Sequence, residues 1–191
     1  EEYEDGFLIM SDEKIIIDET NDLVGGDDEG SFTSQPVLEI NEGGVGYAAV
    51  TAYFAGAQDI PATSPYSNSH TLIFKKTEDH GRTWTGSHTP TGNTDYYFVP
   101  DDVFDDMFED ELFPTYYVDP DGCIDPETGS VFEYNINELF LAYDFALEVD
   151  SEGNPHFIVG LLPSYTDEAT GEGFVLPSLT EASGFYHLTI D

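Results

Sequence analysis

The chain has 191 residues with 40 acidic side chains against 4 basic ones, a formal net charge of -36. Nucleic acid and anionic membrane surfaces are held by clustered Lys and Arg, and with only Lys14, Lys75, Lys76 and Arg82 on offer neither is expected as a partner. Hydrophobic residues at 39% and aromatics at 14% supply ample apolar surface to bury, which excludes a disordered acidic polymer. Self-repulsion on this scale must be offset by salt, bound cations or a packed core.

The single cysteine, Cys123, forms no internal disulfide, and no run of about 18 apolar residues argues for membrane insertion. The opening residues, Glu1-Glu2-Tyr3-Glu4-Asp5, lack the basic start and apolar stretch of a signal peptide. The first 31 residues divide into an apolar pair, Phe7-Leu8-Ile9-Met10 and Ile15-Ile16-Ile17, read as a hairpin across Ser11-Asp12-Glu13-Lys14, and an acidic Gly-containing loop over 18–31. From 32 to 85 the pattern is strand (36–40), turn (41–44), strand (45–54), a polar insertion over 56–69, and a third strand (70–76).

That third strand runs into Thr77-Glu78-Asp79-His80-Gly81-Arg82-Thr83-Trp84. Here an Asp side chain accepts hydrogen bonds from amides of its own turn, a Gly takes positive φ, and a Trp folds back as a plug. The pattern Ser/Thr-x-Asp-x-Gly-x-Thr-Trp, carried by Thr77, Asp79, Gly81, Thr83 and Trp84, resembles the Asp-box, or BNR repeat, of sialidase-like β-propellers. The resemblance implies a turn between the third and fourth strands of a propeller blade. It also implies a secreted or cell-surface setting, in which this sequence is a mature or internal segment of a longer parent chain; a salt-accumulating halophile would show the same depletion of lysine.

Residues 86–138 form an acidic insertion. Within 101–113, apolar residues at Val103, Phe104, Met107, Phe108 and Leu112 have helical spacing, and Asp101 and Asp102 suit the N-terminal end of such a helix. Downstream, Asp119, Asp121 and Asp125 alternate in a Gly-containing loop and could converge on Ca2+. This loop is similar to the first half of an EF-hand or dockerin calcium loop, but its glycine is Gly122, Ile124 holds the usual glycine position and Ser130 replaces the closing Glu. A simple Asx-rich turn is the alternative. From 139 to 191 strands return: Val149-Asp150-Ser151-Glu152-Gly153-Asn154-Pro155-His156 is similar to the first hairpin of another blade, with His156 expected as a packing residue, and Gly184 to Asp191 reads as a further strand.

These readings give an all-β chain of antiparallel four-stranded propeller blades, about two and the second incomplete, with a partly helical acidic insertion. The open blades call for a partner, a protein or glycan at the cell exterior, or the rest of the parent chain. A sialidase-like site would need several arginines for its anionic substrate, and the one arginine, Arg82, lies in the box. The histidines His70, His80, His88, His156 and His187 show neither nucleophile-activating nor transition-metal spacing. The expected function is a non-catalytic binding or structural module. Two alternatives are part of a glycoside hydrolase with its catalytic residues elsewhere, and a β-sandwich in which the box is a single turn.

Overall fold

A computed structural model describes residues 2–4, 7–9, 15–18, 31–53, 70–86, 96–100, 103–104, 107, 116–118, 124, 129–130, 133–136, 138–166, 173–175 and 183–190. The fold is all-β and its sheets are antiparallel. In chain order the strands are β1 (Glu2–Glu4), β2 (Phe7–Ile9), β3 (Ser31–Phe32), β4 (Val37–Ile40), β5 (Gly46–Tyr53), β6 (His70–Thr77), β7 (Tyr97–Phe98), β8 (Tyr116–Val118), β9 (Glu133–Asn135), β10 (Glu138–Val149), β11 (Pro155–Thr166), β12 (Gly173–Val175) and β13 (Gly184–Thr189).

Two sheets dominate. In the first, β5 is central: β3 and β4 share one of its edges, β6 takes the other, and β7 extends β6. In the second, β11 pairs with β10 on one edge and with β12 and β13 on the other. β1 with β2, and β8 with β9, form separate two-stranded ribbons.

Side-chain alternation explains how the two large sheets meet. On β5 and β6, Tyr47, Ala49, Leu72 and Phe74 turn one way; on β10 and β11, Leu139, Leu141, Val149, Phe157, Val159 and Leu161 turn towards them, forming one shared core. Rings of Phe74 and Phe157 touch across it, with centroids 5.3 Å apart. Tyr186 and Leu188 of β13 join it, while Phe185, just before them on the opposite face, is 86% exposed. The opposite face of the first sheet is also apolar: Val50, Ala52, Ile73 and Tyr96 cluster there with Ile17 and Phe98. The strands therefore form open sheets packed face to face, and among the described residues they do not close into a ring.

Several details differ from the sequence reading. The N-terminal hairpin turns between Glu4 and Phe7, so that Glu2–Glu4 pairs with Phe7–Ile9, and Ile15 to Asp18 is irregular. Ile17 is used instead to cover the first sheet. Tyr97–Phe98, assigned above to the insertion, is an outer strand of that sheet. β10 is one twelve-residue strand with an irregularity in which the register passes from Leu141↔Leu161 to Phe145↔Val159. Three residues of β10, 142–144, thus face one of β11, Gly160, and since the excess is even, odd-numbered residues of β10 face the core on both sides of the irregularity, while Tyr143 within it is exposed. In the insertion, Val103, Phe104 and Met107 have helical backbone and pack on the shared core; most of 101–113 lies outside the described residues.

Candidate functional site

The turn after β6 is held from within. The Asp79 carboxylate accepts from the Thr83 backbone N–H (2.8 Å), the Thr83 hydroxyl (2.7 Å) and the Thr77 hydroxyl (2.9 Å). The Gly81 N–H donates to Thr77 Oγ1 (2.9 Å), and the Trp84 indole N–H donates to the Gly81 carbonyl (3.1 Å). His80 and Gly81 both take positive φ, 58° and 80°, a conformation that costs glycine nothing. Beyond the turn, Lys76 and Thr85 exchange both backbone hydrogen bonds at 2.8 Å, closing a short antiparallel bridge. Hydrogen bonds from the Thr83 side chain and backbone hold the Asp79 carboxyl down to about 2, so it is ionised and engaged by its own turn. Trp84, expected to be buried, is half-buried, and Arg82 is exposed. These hydrogen bonds tie the carboxylate to its own turn.

A second polar feature joins the sheets. The β4–β5 turn (41–45) and the β10–β11 turn (150–154) share one hydrogen-bond plan. Asn41 N–H donates to the Val45 carbonyl and Gly44 N–H to the Asn41 carbonyl; Asp150 N–H donates to the Asn154 carbonyl and Gly153 N–H to the Asp150 carbonyl. In each, the first side chain accepts from the fifth backbone N–H: Asn41 Oδ1 from Val45 (3.1 Å), Asp150 Oδ1 from Asn154 (2.8 Å). Gly44 and Gly153 have φ of 88° and 94°. The turns also bond one another, Asn41 Nδ2 donating to the Asp150 carbonyl (2.7 Å) and the Tyr47 hydroxyl to the Gly153 carbonyl (3.1 Å). The Thr77–Trp84 turn docks on the first of them through His80 N–H to Gly44 carbonyl (3.0 Å). A cavity of about 320 Å3 lies at this junction, lined by Tyr47, Phe74, Lys76, Tyr97 and Asn154 among others.

At the other end of the junction, His70 of β6 is buried. Its Nε2 bonds Thr33 Oγ1 (2.7 Å), Thr33 Oγ1 bonds Thr51 Oγ1 (2.9 Å), and Thr51 Oγ1 donates to the Tyr143 carbonyl of β10 (3.3 Å). Its ring stacks on Phe140 at 4.8 Å. Burial pulls the imidazole down to about 4, so it is neutral and belongs to the packing.

On the outer face of the second sheet, His156 and His187 come together. His156 Nε2 lies 3.3 Å from Asp150 Oδ2, and His156 Nδ1 lies 2.8 Å from His187 Nε2. Asp150 also accepts from the Asn154 and Glu152 backbone N–H groups and from Asn154 Nδ2, and these hydrogen bonds, the Asn154 backbone first, hold it down to about 2. Histidines 31 residues apart have no local spacing to reveal them. They meet because β11 and β13 pair antiparallel with Ile158 opposite His187, a register that the sequence does not disclose.

The candidate calcium ligands Asp119, Asp121 and Asp125, and Cys123, lie outside the described residues. Among the described residues, no three His, Cys, Asp or Glu side chains converge as metal ligands, and no helix is long and apolar enough to cross a membrane. The chain matches no protein-family model, no curated protein and no solved structure.

Proposed function

We propose that the chain is a non-catalytic binding or structural module of a secreted or cell-surface protein, made of about two propeller blades, the first with an Asp-box and the second incomplete, with a partly helical acidic insertion, and belonging to a longer parent chain. The observation that carries this reading is the turn at Asp79: Thr77, Asp79, Gly81, Thr83 and Trp84 take part in one hydrogen-bond network, which places a strand bridge directly after the third long strand. The repeated Asx-Gly hairpin supports a repeat architecture. So does the apolar outer face of the first sheet, where Ile15, Ile17, Phe32, Leu38 and Val50 line a groove of about 350 Å3 of the sort a neighbouring blade fills. The partner is a protein or a glycan, and Asp119, Asp121 and Asp125 hold Ca2+ in the insertion.

Incubating the purified chain with a fluorogenic sialoside and probing it on a glycan array tests the reading. No turnover is expected, because the one arginine, Arg82, is exposed in the Asp79 turn. Hydrolysis abolished by Arg82→Ala would overturn it. Calcium is tested by thermal melts in Ca2+ and Mg2+ at equal ionic strength. At about 100 times its dissociation constant a bound ion adds roughly 2.7 kcal/mol, and equal shifts in the two salts, unchanged by Asp121→Ala, would remove the site.

A further inference from the structure

We propose that this chain docks on a second copy of itself front to back: the outer face of the second sheet, led by Phe185 and Ile158, seats in the groove on the outer face of the first sheet of the next copy. The proposal names a partner for the binding module above and rests on the repetition of its two sheets.

The ground is a register that recurs. In the first sheet Ile40 lies opposite Gly46, and Ala49 stands between Val37 and Phe74; in the second Val149 lies opposite Pro155, and Ile158 stands between Ala146 and His187. β4, β5 and β6 therefore correspond residue for residue to the end of β10 (146–149), β11 and β13. Directly paired residues project to the same face, so the faces can be matched as well. Tyr47, Ala49, Leu72 and Phe74 form the front of the first sheet, buried in the shared core. Their counterparts His156, Ile158, Phe185 and His187 form the outer front of the second, where Phe185 is 86% and Ile158 41% exposed. Phe157, Val159 and Leu161, which cover the first front, correspond to Ala48, Val50 and Ala52 on the back of the first sheet. The two sheets thus stack front to back. Such a contact is heterologous, and it leaves one front and one back over, each the counterpart of a surface already joined.

The distribution of bulk selects the occupant. Inside the chain the large side chains, Phe157 and Leu161, stand on the back, and the front that receives them is small at Ala49. On the remaining surfaces the order is reversed, with Ala48 and Val50 on the back and Ile158 and Phe185 on the front. Where β11 projects the ring of Phe157, β5 has only Ala48, and a groove of about 350 Å3 opens over it, with Ile15 and Leu38, 78% and 51% exposed, on its rim. Ile17, Tyr96 and Phe98 pack on Val50, Ala52 and Ile73 beside it, which confines docking to the groove. The front that carries the missing bulk belongs to this same chain. Its two imidazoles hydrogen-bond each other at 2.8 Å, which lowers the cost of taking them out of water. Charge acts in the other direction: a formal -36 on each copy repels the next, so the contact is weak in low salt and strengthens as ions screen it.

Sedimentation velocity of the intact chain over a range of concentrations, in low and in high NaCl, is the test. A series from monomer to dimer and beyond is expected, shifted to larger species by salt. Phe185→Gln on the front, and Leu38→Gln or Ile15→Gln on the groove rim, replace exposed side chains without changing the charge. Each should weaken association by about tenfold or more, and thermal melts followed by Trp84 fluorescence check that the variants are folded. Mixing Phe185→Gln with Leu38→Gln should restore association at native strength and stop it at the dimer, because one intact front then meets one intact back and neither copy can add a third. A chain that stays monomeric in both salts, or association that Phe185→Gln leaves unchanged, would exclude the docking. So would weakening by Phe185→Gln with no effect of either groove variant, which marks front-to-front pairing. Each of these failures leaves the repeated register, and the module reading it supports, standing.

Discussion

The turns at 41–45 and 150–154 have the same backbone plan and different occupations. Their first side chains differ by an amide nitrogen in place of an oxygen. Asn41 accepts from its own turn through Oδ1 and still has an N–H to donate, which it gives to the Asp150 carbonyl across the junction. Asp150 also accepts from its own turn through Oδ1, but it has no donor, and its second oxygen collects Asn154 Nδ2 and His156 Nε2. The same local code therefore builds two hairpins, and one atom decides that the first turn fastens sheet to sheet while the second organises a histidine pair.

If the sheets are one body through the shared core, the largest effect comes from emptying that core. Phe157→Ala should cost about 3–5 kcal/mol, read as a lower midpoint in a denaturant melt followed by tryptophan fluorescence. Because Trp84 reports from the first sheet and Phe157 lies in the second, a transition at Trp84 unmoved by this change would show two independent units.

Acid distinguishes the buried histidine of the junction from the rest. His70 has a folded pKa pulled down by burial to about 4, from an ordinary 6.5. The unfolded chain therefore takes the proton first as pH falls. The stability this group confers is complete above about 6.5 and is lost progressively down to about 4, by up to about 3 kcal/mol. The difference between the native chain and His70→Gln across this window is the measurement; parallel pH curves would refute the assignment.

Asn41→Asp converts the first turn into a copy of the second. It removes the donor to the Asp150 carbonyl and brings an anion towards that oxygen, for an expected loss of about 1–3 kcal/mol. Asp150→Asn, the reciprocal change, should leave the turn in place and act on His156 instead. The smallest effects are those of Asp79 and Asp150 as acids. Both carboxyls are held at about 2, below their ordinary 3.8, so each contributes stability above about 4 that is lost as pH falls through 2. Asp79→Asn and Asp150→Asn should each flatten the acid limb of the stability curve slightly, and an unchanged limb would mean that these bonds confer nothing.

What could be read from the residues was local. Asx and Gly at fixed offsets announce a turn at 41–44 and at 150–154, and β-branched and aromatic alternation announces the strands they join, because both signals lie within a few residues. The hydrogen bonds around Asp79 likewise stay within eight residues. Pairing across distance was not readable. Tyr97–Phe98 carries no mark of belonging to the first sheet, since its partner residues Ile73 and Phe74 would accept many short apolar strands. Ile17 reads as strand by composition, yet it is used to cover a sheet face. The meeting of His156 and His187 follows from a strand register that a shift of one residue would cancel.

The links between the two turns also set an order of events during folding. Each hairpin closes a five-residue loop, an event on the scale of microseconds. Asn41 to Asp150 and Tyr47 to Gly153 span 109 and 106 residues, and closing so long a loop is entropically costly until both ends present formed surfaces. The hairpins should thus appear early and their union last, so that during synthesis the first sheet must wait on the ribosome, with Phe74 uncovered, until residues past Gly153 have emerged.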